Sequence, residues 1–286
     1  MTGFIDLARL EVGALVDGVI DPTSEAAFGS YAWPATAPEA EVGRFVERQV
    51  FGEVFGNSPE LLASEYAPFD DASVFFCIID HRRRVPAGAV RAILPSPAGL
   101  KTLADIEEVW KRPLDDALAG TPLGSGEHWG DVWDVATLAV AKDYRGPNTN
   151  GLISLALYQA LCATAVRAGI EIFTAVLDAV VLDLIQHRLH GPFHPFRGLA
   201  PRPYLDSPLS VAVWASFRDW CETMQVEDPP LYETLALGSG LEPAVSHGDW
   251  QLAADMVRVV AGAAAAPTGR PLSNTSSIWS SERAFA

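Results

Sequence analysis

The chain has 286 residues, 49% of them hydrophobic and 20% charged, with eight tryptophans, which is enough apolar material for a substantial core. A formal net charge of −16, from 36 acidic and 20 basic residues, argues against a nucleic-acid binder, which needs a dense basic surface to meet phosphates. Three cysteines without paired spacing argue against a disulfide framework or a structural zinc, and no run reaches the roughly 18 apolar residues of a membrane span.

The opening MTGFIDLARLEVG has no basic stretch leading into an apolar run, so a cytoplasmic protein is expected. Residues 1–40 combine a short apolar pattern with a Pro/Ser/Ala-rich loop and suggest no role. Residues 41–55 place Val42, Phe45, Val46, Val50 and Phe51 at helical spacing, ended by Gly56-Asn57-Ser58-Pro59. Two runs of β-formers, 74–79 and 87–94, flank His81-Arg82-Arg83-Arg84 and predict an antiparallel hairpin with a solvated basic tip. A short helix is expected over 103–110 and a Gly-rich loop over 121–129. Beyond residue 178, a helix at 180–189, a Pro/Arg-rich loop at 193–208 and a strand at 209–214 follow. Helical patterns at 216–224, 231–237 and 249–260 precede an Ala/Ser/Pro-rich tail from 263.

The most informative unit is 131–178. A strand over 132–140 runs into a polar turn, Lys142-Asp143-Tyr144-Arg145-Gly146-Pro147-Asn148-Thr149-Asn150-Gly151. An apolar helix over 152–168 stops at Gly169 and feeds a strand over 170–177. Such a turn gathers unpaired backbone N–H groups at the positive end of a helix, where a phosphate or pyrophosphate is stabilised. The signatures of a Walker A loop and of the Gly-x-Gly-x-x-Gly dinucleotide fold are absent, as is the Gly-x-Ser-x-Gly of a serine hydrolase. The predicted architecture is α/β with a mixed sheet and one parallel crossover.

The hairpin, the strand ending in Ala-Val-Ala-Lys-Asp-Tyr-Arg-Gly and the helix opening at a glycine resemble the GNAT superfamily of acyl-CoA N-acyltransferases. In that superfamily a Gln/Arg-x-x-Gly-x-Gly/Ala turn wraps the donor pyrophosphate. Arg145-Gly146 matches the opening of that turn and Gly151 its close, with residues 147–150 inserted between them. Val90-Arg91-Ala92-Ile93-Leu94-Pro95, the strand Trp133-Asp134-Val135-Ala136-Thr137-Leu138-Ala139-Val140, and His190-Gly191-Pro192-Phe193 with Tyr204 are similar to autoinducer (acyl-homoserine lactone) synthases and N-acyl amino acid synthases. Asp134 and Thr137 stand where those families carry glutamate and arginine.

The resemblance implies a GNAT-like domain over 41–224; the helical patterns beyond it suggest a C-terminal helical extension over 225–262, and composition a flexible tail over 263–286. It implies Leu138, Ala139 and Val140 as backbone contacts to the donor thioester arm. Arg145, Gly146, Asn148, Thr149, Asn150 and Gly151 would form the pyrophosphate cradle. Asp134 and Asp178 are the catalytic candidates; an aspartate buried in an apolar strand should have a raised pKa. No metal and no permanently bound cofactor are expected: His187, His190 and His194 lack a completing carboxylate or cysteine pattern. The expected partners are an acyl-CoA or acyl-carrier-protein donor and a small-molecule primary amine, with a homodimer as the assembly to look for. The alternative is a catalytically silent module of the same fold that binds an acyl thioester or a partner.

Overall fold

The computed structural model describes residues 2–125, 129–146, 149–247 and 250–265. In chain order the elements are α1 (Thr2–Val19), β1 (Phe28–Pro34), α2 (Ala40–Phe55), α3 (Pro59–Tyr66), β2 (Ser73–Asp80), β3 (Val85–Ile93), α4 (Lys101–Glu108), α5 (Leu114–Leu118) and β4 (Val132–Val140). Then come α6 (Leu152–Ala168), β5 (Ile172–Asp178), α7 (Ala179–Arg188), β6 (His194–Pro195), β7 (Arg202–Tyr204), β8 (Ser207–Ser216), α8 (Phe217–Glu227), α9 (Pro229–Tyr232), a π-helical turn at Glu233–Leu237, β9 (Val245–Ser246) and α10 (Trp250–Ala265).

Local chemistry accounts for several of these boundaries. Ser58 caps α3 by accepting from Leu61 N–H at 3.1 Å, with Pro59 at the first helical position. Gly169, at φ 78°, ends α6, and Ile170 N–H returns to the Ala165 carbonyl at 3.0 Å, closing the helix in a Schellman manner. Each residue of β2 is buried, as a strand covered on both faces requires.

The described strands form one sheet in the order β6-β8-β5-β4-β3-β2-β1-β9, with β7 pairing beside β8. Only β4–β5 and β1–β9 run parallel. This is the expected mixed α/β sheet, with the parallel crossover through α6. One face packs α6, α8 and α10 over Phe76, Val90, Trp133 and Phe173, with Phe217 and Trp220 supplied by α8 itself. The opposite face carries α1 and α2 over Phe75, Cys77, Ile79, Ala89 and Ala139. Further along that face lies an aliphatic cluster of Leu103, Ile106, Val132, Ile172 and Ala212.

Two regions differ from the sequence reading. Residues 1–40 supply α1 and β1, and β1 pairs with β2 from Phe28↔Asp80 to Pro34↔Val74, so the sheet begins ahead of residue 41. The segment after 225 also joins the same sheet and core. β9 pairs with β1, and Gln159 of α6 donates to the carbonyls of Thr234 and Ser239, both at 3.0 Å. Cys77 and Cys162 are buried, and burial pushes both thiols up.

Candidate functional site: a strand wedge beside an open helix terminus

β4 and β5 stay together for three registered pairs, Val132↔Ile172, Trp133↔Phe173 and Asp134↔Thr174. β4 then follows β3 as far as Val140, while β5 follows β8 to Asp178. The strands therefore part after Asp134 and leave a wedge. A bulge at Ala136 accompanies the parting: Arg91 pairs with Thr137 but Ala92 with Val135. The extra residue changes the phase of the strand. Ala136 and Thr137 both face the α2 side, and Leu138 packs on the opposite side with Trp133 and Val135.

Ala141 N–H donates to the Ala87 carbonyl of β3 at 2.9 Å. Strand alternation then directs Ala139 toward β3 as well, and turns the N–H groups of Leu138 and Val140 toward the wedge. Of the three backbone contacts expected on β4, these two are the ones the register leaves available.

The wedge leads to the turn before α6. Arg145 Nε donates to the Val140 carbonyl at 2.6 Å, while its Nη2 is buried without a partner among the described residues. Thr149 Oγ1 donates to the Tyr144 carbonyl at 2.7 Å. Gly146, Asn150 and Gly151 have φ of 63°, 49° and 77°. These left-handed positions suit glycine and asparagine. Among the described residues no side chain caps the N-terminus of α6, and its first turn carries no acidic residue. Leu152 N–H donates to the Thr149 carbonyl at 2.9 Å, and the next N–H groups of the first turn have no local carboxylate competing for them. Asn148, assigned to the same cradle from the sequence, lies outside the described residues.

The basic hairpin tip reaches this turn. Arg82, Arg83, Asp80, Asp143, Tyr144 and Thr149, with Ala27 and Phe28, line an open cavity of about 670 Å³. Asp80 accepts Arg82 N–H and Arg83 N–H, each at 2.9 Å, and the Tyr144 hydroxyl at 2.8 Å. Burial and the bond to Asp80 push the Tyr144 phenol up to about 12, so it remains a donor. The Arg83 guanidinium lies 5.8 Å from the Tyr144 ring.

Beneath the parting point, the α2–α4 face is charged and buried. Asp134 is fully enclosed, and Thr102 donates to it through its N–H at 2.5 Å and its hydroxyl at 2.8 Å. Asp134 therefore caps the first turn of α4 from a neighbouring strand, a duty that the helix's own N-cap residue, Leu100, does not fulfil. Burial pushes the Asp134 carboxyl up to about 7, against the pull of the Thr102 bonds. Next to it, Lys101 Nζ meets Glu65 at 2.9 Å and Asp105 at 3.0 Å, between the rings of Tyr66 (5.5 Å) and Tyr204 (5.4 Å). Arg91 donates to both Glu47 oxygens at 3.0 and 2.7 Å and to Asp70 at 3.1 Å, and Thr137 donates to Glu47.

Asp178 sits at the far end of β5. One oxygen accepts Val180 N–H at 2.8 Å, capping α7, and the other accepts the Ser207 hydroxyl at 2.7 Å. Both sequence-predicted catalytic carboxylates thus hold a helix N-terminus, and they are four registered positions apart along the diverging strands. His187 lies near Asp183, His190 near Glu227 and Asp228, and the His194 ring meets Trp214 at a tilt, 5.2 Å between centroids. No metal-ligating cluster occurs among the described residues.

Sequence reasoning missed Glu47, Lys101, Thr102, Asp105 and the proximity of Arg82 and Arg83 to the turn. One clue was available. Gly43, Glu47 and Val50 share a helix face, so a glutamate occupies an apolar-face position. Asp105 repeats that clue in α4, four residues after Lys101.

No protein-family model matches the chain, and no curated protein matches it either. Among solved structures it is similar to BjaI, a CoA-dependent acyl-homoserine lactone synthase solved with SAM and isopentyl-CoA. The identity is 17% and the TM-score 0.48, over 81% of this chain and 99% of that one. FeeM, an N-acyl amino acid synthase from uncultured soil microbes, is 18% identical with a TM-score of 0.49 over 68% and 94%. A GNAT-family protein from Desulfovibrio desulfuricans is 13% identical with a TM-score of 0.41 over 67% and 99%.

Proposed function

We propose that this chain is an N-acyltransferase that moves an acyl group from an acyl-CoA or acyl-carrier-protein thioester to the primary amine of a small molecule. The observation that carries this reading is the parting of β4 from β5 directly beside the uncapped N-terminus of α6. A thioester arm laid along β4 would meet the Leu138 and Val140 N–H groups. Its phosphates would meet the α6 terminus, Thr149, Asn150, Gly151 and Arg145. The amine nitrogen attacks the thioester carbon, and the carbonyl electron pair moves onto oxygen, where a wedge N–H donates. The carbonyl re-forms as the C–S bond breaks, the nitrogen passes its excess proton to water, and water returns a proton to the departing thiolate, leaving an amide and the free thiol of the donor.

In this reading Asp134 acts by position. It fixes α4, and with it Lys101 and Asp105, against the point where the wedge opens. Thr174 is in register with Asp134, and its hydroxyl is buried without a partner among the described residues, so it is a polar group left on that face. The test is free-thiol release from acetyl-CoA, a long-chain acyl-CoA and an acyl-carrier protein, each with a panel of amines. Amine-dependent release with at least one donor is expected. A panel with no release would count heavily against the assignment.

The second reading, a silent acyl-thioester binder, is favoured by one fact: both candidate carboxylates already serve as helix caps. It predicts stoichiometric donor binding and no amine-dependent turnover in the same assay.

A further inference from the structure

The chain carries 36 acidic against 20 basic residues, yet three consecutive arginines stand at one hairpin tip, and that tip is tied to the turn ahead of α6. The tie is specific. Asp80 holds the Arg82 and Arg83 backbone with one oxygen and the Tyr144 hydroxyl with the other, so hairpin tip and turn form one wall. Arg84, at φ 56°, completes the turn and pairs with Asp17 of α1. Asp143 approaches Arg83 only to 3.9 Å, with both side chains more than half exposed, and Arg82 has no carboxylate partner among the described ion pairs. The cavity between tip and turn, about 670 Å³, is within the roughly 300–1,000 Å³ range of small-molecule sites.

Resting on the acyl-donor reading above, we propose that Arg82 and Arg83 form a site for a second phosphate, the ribose 3′-phosphate of a coenzyme A donor. A phosphate monoester carries nearly two charges and three acceptor oxygens, which suits a pair of guanidinium forks better than the singly charged groups of a pyrophosphate do. Of the two Asp side chains in the lining, Asp80 is engaged by three donors, and Asp143 is exposed to solvent. The pyrophosphate cradle lies at Thr149, Asn150 and Gly151, and Thr149 also lines this cavity, so the two phosphate positions share one continuous space. The phosphopantetheine of a carrier protein lacks a 3′-phosphate. The site therefore selects coenzyme A thioesters and gives the exposed tip a binding role.

The test is calorimetric binding of coenzyme A and 3′-dephospho-coenzyme A to the full chain, with both ligands repeated on Arg82→Ala/Arg83→Ala and Arg82→Lys/Arg83→Lys. Circular dichroism melting checks that each variant folds. Coenzyme A should bind the natural protein at least about 10-fold more tightly than the dephospho form. That ratio should fall toward one in the alanine pair, recover in part in the lysine pair, and shrink with added salt. Equal affinities in the natural protein, or a preference that survives the alanine pair, would overturn the proposal while leaving acyl transfer intact. Binding of neither ligand would also overturn it. Turnover with an acyl-carrier protein would then show that the transferase reading stands alone.

Discussion

The two ends of the β4 neighbourhood are built in opposite ways. At the Asp134 end, buried charges answer one another: Arg91 with Glu47 and Asp70, Lys101 with Glu65 and Asp105, Asp134 with Thr102. At the Val140 end, polar groups stand without a partner among the described residues: two strand N–H groups on the open side, a buried Arg145 nitrogen and a helix N-terminus without a side-chain cap. A folded protein retains unanswered polar groups where a ligand completes them, and satisfied buried networks where shape must be held. On the proposed reading, the contrast gives the conspicuous carboxylates the task of organising the site and leaves binding to backbone and arginines.

The largest effect should come from the buried end. Arg91→Met leaves Glu47 enclosed and unpaired, which should destabilise the fold by about 3–5 kcal/mol in urea unfolding. A loss below about 1 kcal/mol would mean that the network is not the keystone of that face.

Asp134→Asn keeps a cap of similar shape but removes the titration. A carboxyl raised from 3.8 to about 7 by burial holds its proton in the folded chain after the unfolded chain has lost it. Its contribution is therefore full below about pH 4 and is lost as pH rises through about 7. The stability of the natural protein relative to Asp134→Asn should accordingly decline between pH 4 and 7. Paired unfolding curves across that range check the sign, and a difference that rises with pH would contradict it.

Gly151→Ala sharpens the contrast at the other end. An added Cβ meets nothing within 4 Å, so the cost is the left-handed backbone alone, about 1–2 kcal/mol. Because the strain falls on the phosphate cradle, donor KM should rise more than kcat falls. Tyr144→Phe is the mildest change. Losing the hydroxyl bond to Asp80 should cost about 0.5–1.5 kcal/mol and loosen the arginine tip, and the thermal shift on donor binding should shrink with it.

Local pattern made the central unit legible: alternating β4, the glycines of the turn, the apolar run of α6 and its Gly169 stop all act within a few residues of one another. β1 was hidden because Phe28–Pro34 contains Gly29, Ser30 and Pro34 and has only two buried positions in seven. Its identity as a strand comes from pairing with β2 and β9. The site was half legible. Asp134 reads as reactive because an aspartate in an apolar strand is unusual, but its partner Thr102 lies 32 residues away on a separate helix. Likewise, Arg82 and Arg83 read as a solvated tip and are exposed, but only the β3–β4 register, with Gly88 opposite Val140, shows that the tip lies beside the turn.

Amide hydrogen exchange, with and without saturating acyl-CoA, tests the binding claim most directly. Protection should appear at Leu138 and Val140 and over residues 149–155, with residues 101–108 of α4 unchanged. Acyl-CoA that binds without slowing exchange in the β4 end and the α6 start would contradict the placement of the donor in this wedge.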